Sequence, residues 1–315
     1  MASPRSEEQW SLEQQIQELK RRTEALRSTL ILDSAPSFKP SPDDVIVATP
    51  PKNGTTWVLH ICHQIRMQGQ EPDFENQLDI IGWIEASERL FGITDISTRR
   101  QPASPRIFVT HLLYPLIPVG GRRIYCFRDP KDSILSNYYF QDMLLSLRGR
   151  VSLSVFTQSA VEEDIERRLE NLLVWWEHRH DSDVLLIFFD DLKEDHAGCV
   201  RRIAKFINVD CDEYVIARVV HTTSHAEMFR HQSKFSVHSL ARVVAEKIGE
   251  VPPPQGAIVG RVRKDGGKSG EGKQKLPVEV QQRIDQMWQE IVTSKLGFQD
   301  LKEMREALKK ENCSI

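Results

Sequence analysis

The sequence has few cysteines, no long apolar run and no large excess of charge of one sign. Its 315 residues include five cysteines, an odd number, and no two stand at the close spacing of a zinc or redox pair. The longest plainly apolar run, VLLIFF at 184–189, is far too short for a membrane span, and the opening MASPRSEEQW has no secretory apolar core. We therefore expect reduced thiols in a soluble, cytoplasmic protein without membrane partners.

The charge balance also excludes classes of function. Lysine and arginine total 42 against 45 acidic residues, a formal net charge of −3, which argues against a general nucleic-acid binder. The histidines between 221 and 238 have no HExxH pattern and no cysteines near them, so we expect no metal site. At 40% apolar residues, the chain can bury a sizeable core.

Short apolar runs alternate with helical patterns through the middle of the chain. VIVAT (45–49), RIFVT (106–110), RIYCF (123–127) and VLLIFF (184–189) are typical of strands buried on both faces. Helical periodicity is clearest at 161–180 and 196–207. This alternation predicts an α/β fold, a central parallel β-sheet flanked by helices.

The two ends differ from this central pattern. Leu12, Ile16, Leu19, Leu26 and Leu30 recur at helical spacing, which predicts an amphipathic helix on the domain surface, with a short coiled-coil dimer helix as the alternative. We divide the chain into an N-terminal helix and loop (1–37), a main domain (38–295) and a helical tail (296–315). The segment 251–277 is rich in Pro, Gly and Lys, which indicates disorder or a loop that orders around an anion.

The segment PPKNGTTW (50–57) has the features of a phosphate-binding turn. A buried strand delivers it to the carboxyl edge of the sheet, where α/β folds bind ligands. Gly54 permits close backbone approach, the following helix points its first amides at an anion, and Thr55 and Thr56 add hydroxyl donors. Lys52 supplies a mobile positive charge. A turn that merely caps a helix is the alternative interpretation.

A second strand, loop and helix follows at YCFRDPKDSILSNYYF (125–140). It places Arg128 at the end of a strand and Ser136 eight residues later, within a helix. A guanidinium and a hydroxyl are suitable donors to a second phosphate. Two phosphate sites on neighbouring strands indicate a nucleotide that carries phosphates on both sides of its ribose.

These segments resemble motifs of the cytosolic sulfotransferase family, which has a P-loop-like nucleotide-binding core. PKNGTTW is similar to the family's 5′-phosphosulfate loop, RDPKDSILS to its 3′-phosphate motif, and RKDGGKSGEGK (263–273) to its C-terminal GxxGxxK loop. The three motifs occur in family order, and the likeness spans roughly residues 38–295. It implies transfer of a sulfuryl group to a hydroxyl or amine of a small-molecule acceptor from the co-substrate 3′-phosphoadenosine 5′-phosphosulfate (PAPS), with no metal.

The resemblance also assigns roles to individual residues. It implies that His111, in FVTHLL, is the catalytic base and that Lys52 stabilises the leaving group. The implied donor-binding residues are Lys52, Asn53, Gly54, Thr55, Thr56, Trp57, Arg128, Ser136, Thr223, Arg263, Lys264 and Gly267.

Several positions depart from the family pattern. Val109 stands where a lysine is typical, Phe189 where a tyrosine is usual, and His225 where a phenylalanine is expected. The C-terminal loop has extra residues between Arg263 and Gly267, and Glu271–Gly272 replaces Asp-Trp. The family's KxxxTVxxxE dimer motif is poorly kept, so the sequence leaves monomer and homodimer open.

Two other functions compete with the transferase. Val109 and Phe189 favour a non-catalytic binder of the nucleotide product, a sensor or scaffold, whereas retention of Lys52 and His111 argues against it. A kinase that uses ATP is disfavoured because the GxxxxGK loop is absent and a second phosphate motif is present.

The acceptor pocket should form from loops at the carboxyl edge of the sheet. Candidate segments are Asp79–Phe91, Leu112–Pro115, Tyr138–Met143 and Phe229–Leu240. We predict an apolar lining from Trp83, Tyr114, Tyr139, Phe140, Phe229 and Phe235. The acidic residues Asp79, Glu85, Glu88 and Asp142 would favour a cationic acceptor if they faced inward.

Overall fold

Five parallel strands form the sheet in the described part of the chain. The structure is a computed structural model that describes residues 10–30, 38–260, 262–264 and 267–313. The strands are β1 (Val45–Ala48), β2 (Gly82–Trp83), β3 (Ile107–Thr110), β4 (Arg122–Phe127) and β5 (Val184–Phe188), in the order β2-β3-β1-β4-β5. Each neighbouring pair is parallel. The predicted α/β fold and four of the strands are confirmed, and β2 was not predicted.

Helices connect and cover the strands. They are α1 (Leu12–Arg27), α2 (Thr55–Arg66), α3 (Gln77–Ile80), α4 (Ser87–Phe91), α5 (Pro130–Leu145), α6 (Leu153–Ala160), α7 (Glu166–Glu177), α8 (Phe189–Glu194), α9 (His196–Phe206), α10 (Glu213–Thr222), α11 (His225–Arg230), α12 (His238–Ile248), α13 (Glu271–Lys275), α14 (Val278–Trp288), α15 (Ser294–Leu296) and α16 (Leu301–Cys313). Short 3₁₀ turns occur at Ile96–Thr98, Tyr114–Leu116 and Gln232–Phe235. Two π-helical turns, Val161–Ile165 and Gln289–Thr293, precede α7 and α15.

The sheet has a hydrophobic core on each face. Val45 and Val47 pack on one side with residues of α2 and α9, whereas Ile46 and Ala48 pack on the other with residues of α5 and α7. Trp175 of α7 is fully buried there and stacks on Tyr125, with ring centroids 4.6 Å apart. Because helices cover both faces of the sheet, successive residues of a strand are apolar whichever face they point to. This explains the continuous apolar runs in the sequence.

The N-terminal helix packs on the domain, as predicted. Ser11 caps α1 in a capping box with Gln14, and Leu19 and Arg22 are buried. Arg22 donates to the carbonyl of Leu145 at the end of α5 and pairs with Glu250 just beyond α12. Ionic and apolar contacts together hold the helix, whereas residues 7–9 and 31–37 of the predicted helix and its loop lie outside the described residues. The division at residues 37 and 295 stays a prediction.

Candidate active site

Strand order brings the predicted site residues to one edge of the sheet. Because β1 lies between β3 and β4, the residues that follow these strands are neighbours: Thr49 after β1, His111 after β3 and Arg128 after β4. Both phosphate motifs therefore follow adjacent strands, as predicted, and His111 lies on the other side of β1 from Arg128.

The loop between β1 and α2 is tightly constrained. Lys52 has φ 68° and Gly54 has φ 95°, both in the left-handed region. A Cβ atom at Gly54 would lie 2.8 Å from the ring of Phe189, so glycine is required both for conformation and for space. Asn53 is buried, and its Oδ1 accepts a hydrogen bond from the backbone N of Arg128 at 2.7 Å. The Asn53 side chain therefore joins the two phosphate motifs.

The hydroxyl pair of the loop is partly engaged within the protein. The Oγ1 atoms of Thr49 and Thr55 are hydrogen-bonded to each other. Thr56, in the first turn of α2, is exposed and lines the adjacent cavity. Thr56 is therefore the freer of the two predicted threonine hydroxyls.

Lys52 is the cationic residue of the loop between β1 and α2. Its Nζ lies 4.1 Å from the centroid of the Phe140 ring, a cation–π contact. Burial, and then the charges of Arg128 and Arg263, lower the pKa of Lys52 to about 8. The amine is therefore charged at neutral pH, yet close to its titration range.

Arg128 is a buried cation with an N–H donor that no described residue accepts. It is 5% exposed, and its guanidinium lies 4.5 Å from the Phe189 ring centroid. Nη2 donates to the carbonyl of Gly267 at 3.3 Å, whereas the buried Nε has no hydrogen-bond partner within the described residues. Ser136 is also buried, two turns into α5. A buried, unsatisfied guanidinium N–H is the chemistry that an anion would complete.

The glycine-rich segment after residue 263 docks on α5. The backbone N atoms of Gly270 and Gly272 donate to the carboxylate of Asp132 at 2.9 and 2.7 Å. A Cβ at Gly272 would lie 2.4 Å from the carbonyl carbon of Lys131. The segment is therefore packed beside Arg128 and ends in helix α13, an arrangement that composition alone did not predict.

The basic residues at the start of this segment differ in their engagement. Arg263 pairs with Glu271 at 2.8 Å, and its guanidinium lies 5.0 Å from the centroid of the Tyr139 ring. Lys264 is exposed. Asp265 and Gly266, which are part of the predicted loop, lie outside the described residues.

A wall of aromatic and imidazole rings stands beside the loop. The Nε1 of Trp57 donates to the carbonyl of Thr223 at 2.8 Å, and the Trp57 ring lies 5.7 Å from Phe189 and 5.2 Å from His196. His196 also contacts the hydroxyl of Thr223 at 3.0 Å. Trp57 and Thr223 thus lie together as predicted. His225 instead contacts the carbonyl of Arg263 at 2.7 Å.

The position of His111 fixes its tautomer. Its Nδ1 lies 2.6 Å from the carbonyl oxygen of Thr49. Because a carbonyl only accepts, Nδ1 carries the hydrogen and Nε2 retains a lone pair. The backbone N of His111 donates to Oε1 of the buried Glu85 at 2.6 Å. These contacts present Nε2 as a proton acceptor.

The charges around His111 favour its neutral form. Burial lowers its pKa below the ordinary value of 6.5; the charge of Glu85 and the hydrogen bond to Thr49 raise it, while Arg168 and Lys52 lower it. The imidazole is therefore neutral at neutral pH. A general base must be neutral before it can accept a proton.

A cavity of about 270 Å³ opens beside Lys52 and His111. Of the predicted apolar lining, Trp83, Phe140 and Phe235 are confirmed. Other apolar residues of the lining come from several elements, namely Leu59, Leu78, Val109, Leu112, Leu113, Phe156, Val237 and Leu240, together with Leu19, Leu26 and Leu30 of the N-terminal segment. This contribution of α1 was not predicted.

Three of the predicted lining residues are wrong, because each packs elsewhere. Tyr114 stacks on His178 with ring centroids 4.5 Å apart. Tyr139 lies beneath Arg263, and Phe229 stacks on His225 at 6.2 Å. Their side chains make packing or cation–π contacts and do not line this cavity.

The acidic cluster considered for a cationic acceptor does not line the cavity. Asp79 and Glu88 are exposed, Glu85 is buried behind His111, and Asp142 is half-buried elsewhere. Other charged residues line the cavity. They come from α1, the first π-helical turn and α7, and include Arg27, Glu163, Asp164, Arg167 and Arg168. The condition for a cationic acceptor is therefore not met by these four residues.

The described residues hold neither a membrane-spanning helix nor a cluster of metal ligands. Among the described helices, none has both the length and the apolar character to cross a bilayer. Within the same residues, no three histidine, cysteine or acidic side chains gather at a possible metal site.

Comparisons with known proteins agree on one family. Residues 42–305 match the model of the sulfotransferase domain. The chain is 27% identical over 270 residues to an amine sulfotransferase of Oryctolagus cuniculus, covering 82% of this chain and 84% of that protein. It is 29% identical over 216 residues to sulfotransferase 1E1 of Mus musculus, covering 66% and 73%.

Solved structures support the same fold. Mouse sulfotransferase SULT7A1 complexed with PAP superposes with a TM-score of 0.62 at 20% identity, covering 94% of this chain and 96% of that one. Retinol dehydratase in a complex with retinol and PAP gives a TM-score of 0.63 at 19% identity, covering 85% and 86%. At these identities the likeness concerns the fold.

Proposed function

This chain belongs to the sulfotransferase domain family, and we propose that it transfers a sulfuryl group from PAPS to a hydroxyl or amine of a small molecule. One observation carries the proposal. Lys52, in the loop predicted to bind an anion, and His111, with a fixed proton-accepting nitrogen, line a single cavity. A donor bound at the loop and an acceptor bound in the cavity would therefore react between Lys52, the cation beside the leaving group, and His111, the base.

The residues around the loop fit the two ends of the donor. The amides that open α2, with Thr55 and Thr56, suit the 5′ side, and the buried, unsatisfied Nε of Arg128 suits a 3′-phosphate. Trp57 and Thr223 form a wall for the adenine. Further donor contacts are assigned by the family pattern to Lys52, Asn53, Gly54, Ser136, Arg263, Lys264 and Gly267.

The proposed chemistry is an in-line displacement at sulfur. Nε2 of His111 accepts the proton of the acceptor hydroxyl or amine as its oxygen or nitrogen bonds to sulfur. The bond between sulfur and the 5′-phosphate oxygen breaks, and Lys52 stabilises the negative charge that develops on that oxygen. The donor supplies the activated sulfuryl group, and the protein supplies proton transfer, charge and alignment. A purely non-catalytic binder would not need the fixed tautomer of His111.

Calorimetry of the purified protein with 3′,5′-bisphosphoadenosine (PAP), 5′-AMP and ATP, without added metal, tests the donor assignment. We expect the bisphosphate to bind most tightly, because only it engages both phosphate motifs. An acceptor screen with radiolabelled PAPS then tests transfer. Equal or tighter binding of ATP would overturn the donor assignment, and PAP binding without transfer to any acceptor class would favour the product-binding alternative.

The lowered pKa of Lys52 predicts a pH dependence for donor binding. The amine loses its proton above about pH 8 in the free protein, whereas a bound anion favours the charged form. The affinity for PAP should therefore fall as pH rises above 8, by up to about tenfold per pH unit, with proton uptake on binding. Titrations in buffers of different ionisation enthalpy measure that uptake. In Lys52→Met, the dependence should disappear, and its persistence there would assign it to another group.

A further inference from the structure

Arg168 is a buried arginine that reaches the phosphate loop from α7. It is 7% exposed, and its Nη1 donates to the carbonyl of Pro51 at 2.9 Å, one residue before Lys52. Nε donates to Asp164 at 2.5 Å, and Nη2 pairs with the same carboxylate. This double contact with Asp164 holds the plane of the guanidinium against the loop.

The loop at this point needs external support. Lys52 has a left-handed backbone conformation, which is strained for any residue other than glycine. A carbonyl fixed just before it by a buried, oriented donor restricts where the lysine backbone can go. The contact from Arg168 therefore bears directly on the position of the Lys52 side chain.

Arg168 also brings charge into the reaction cavity. It lines the same cavity as Lys52 and His111. Val109, where the family resemblance implies a lysine, is buried and apolar and lines that cavity too. A cation from α7 therefore lies in a cavity where the strand next to His111 provides none.

We propose that Arg168 is a positioning residue of the reaction centre, which fixes the loop that carries Lys52 and sets the charge environment of His111. This inference rests on the proposed function for its effect on turnover. The charged and hydrogen-bonding groups that face His111 are Glu85 beyond β2, the Thr49 carbonyl and Lys52 in the loop, and Arg168 from α7. Of these, Arg168 lies outside the loop and both contacts the loop and acts on the histidine.

Titration of the His111 ring by NMR tests the charge effect without any need for turnover. The chain has ten histidines, so the resonance is assigned by its loss in His111→Asn. Removing the Arg168 charge lets the pKa of His111 rise, and in Arg168→Met we expect the midpoint to increase by about 0.5 to 1 pH unit. Glu85→Gln removes the opposing charge and should shift the midpoint downward. Arg168→Lys keeps the charge and should titrate close to the wild type.

Turnover tests the positioning effect. In Arg168→Met and Arg168→Lys we expect kcat to fall about ten- to a hundredfold, because lysine cannot hold Asp164 and Pro51 together in the fork geometry. The KM for the acceptor should change by less than about threefold. The decline of kcat/KM on the acid side of its pH profile should move to higher pH in Arg168→Met but not in Arg168→Lys.

Arg106→Met is the matched control. Arg106 makes a similar double contact with a carboxylate, that of Asp44, at 2.8 and 2.6 Å, but at the amino end of the sheet. Thermal unfolding of every variant verifies folding, and Arg168→Gln replaces Arg168→Met if the latter does not fold. The proposal is overturned if His111 titrates as in the wild type in the uncharged variant, or if Arg106→Met moves that midpoint equally. A wild type that transfers no sulfuryl group would overturn the proposed function and leave the NMR result intact.

Discussion

Replacing His111 with asparagine should lower kcat by about 10²- to 10⁴-fold, the usual contribution of a general base. The asparagine amide can still donate to the carbonyl of Thr49, the contact that Nδ1 makes now. What it loses is the lone pair on Nε2, which we propose takes the acceptor proton. Initial rates at saturating PAPS and acceptor measure the effect, and PAP affinity should stay within about twofold.

The pH profile sharpens this first prediction. Because burial lowers the pKa of His111, the wild-type kcat/KM should decline only as pH falls below 6.5, where the imidazole gains its proton. That limb should vanish in His111→Asn. His180→Asn is the matched control, since His180 follows the end of α7, is 56% exposed and lies beside Glu311 of α16. Wild-type turnover in His111→Asn would end the assignment of this residue as base.

Replacing Arg128 with methionine should weaken PAP binding by about 30- to 1000-fold, or roughly 2 to 4 kcal/mol, the range for a lost buried charge pair. The variant should bind PAP little better than 5′-AMP, because AMP lacks the 3′-phosphate that Arg128 is proposed to hold. Affinity for AMP itself should change less than about threefold. Calorimetry with both nucleotides gives this ratio directly.

Stability separates a binding role for Arg128 from a structural one. Burial lowers the pKa of Arg128, although the neighbouring carboxylates of Asp132 and Asp190 raise it. The Asp132 carboxylate, 3.7 Å away, retains its hydrogen bonds from the amides of Gly270 and Gly272 when the guanidinium is removed. The melting temperature without nucleotide should therefore be unchanged or higher. A large drop, with the PAP-to-AMP preference intact, would make Arg128 a structural residue instead.

The fold was largely predictable because its signals are local. Each long strand is buried on both faces, so its apolar run stands out in the sequence, and the glycine turn after β1 marks the start of α2. The strand β2 has two residues and carries no periodicity. The packing of the start of α13 against α5 depends on backbone amides that bond to Asp132, far away in the chain, and no local pattern encodes it.

The site residues were likewise predictable where they belong to a local motif, and not where only tertiary packing places them. Lys52, Gly54 and Arg128 belong to contiguous motifs, and the fold brings these motifs together at one edge. Arg168 and Glu85 carry no such signal, because each meets its partner only through tertiary packing. For the aromatic residues the error was the opposite, because some were predicted to line the cavity and do not. An aromatic side chain near the right edge could face the cavity, as Phe140 does, or a packing partner, as Tyr139 does.

The N-terminal helix has a consequence for how this protein can diversify. Leu19, Leu26 and Leu30 line the cavity that also contains Lys52 and His111, yet they precede residues 42–305, which match the family model. Arg22 ties the helix to the carbonyl of Leu145 in α5 and to Glu250, and neither residue belongs to a predicted donor-binding motif. Under the proposed function, substitutions on the inner face of the helix should therefore change the choice of acceptor without replacing any of the predicted donor-binding residues. Selectivity and chemistry are, in this molecule, separately evolvable.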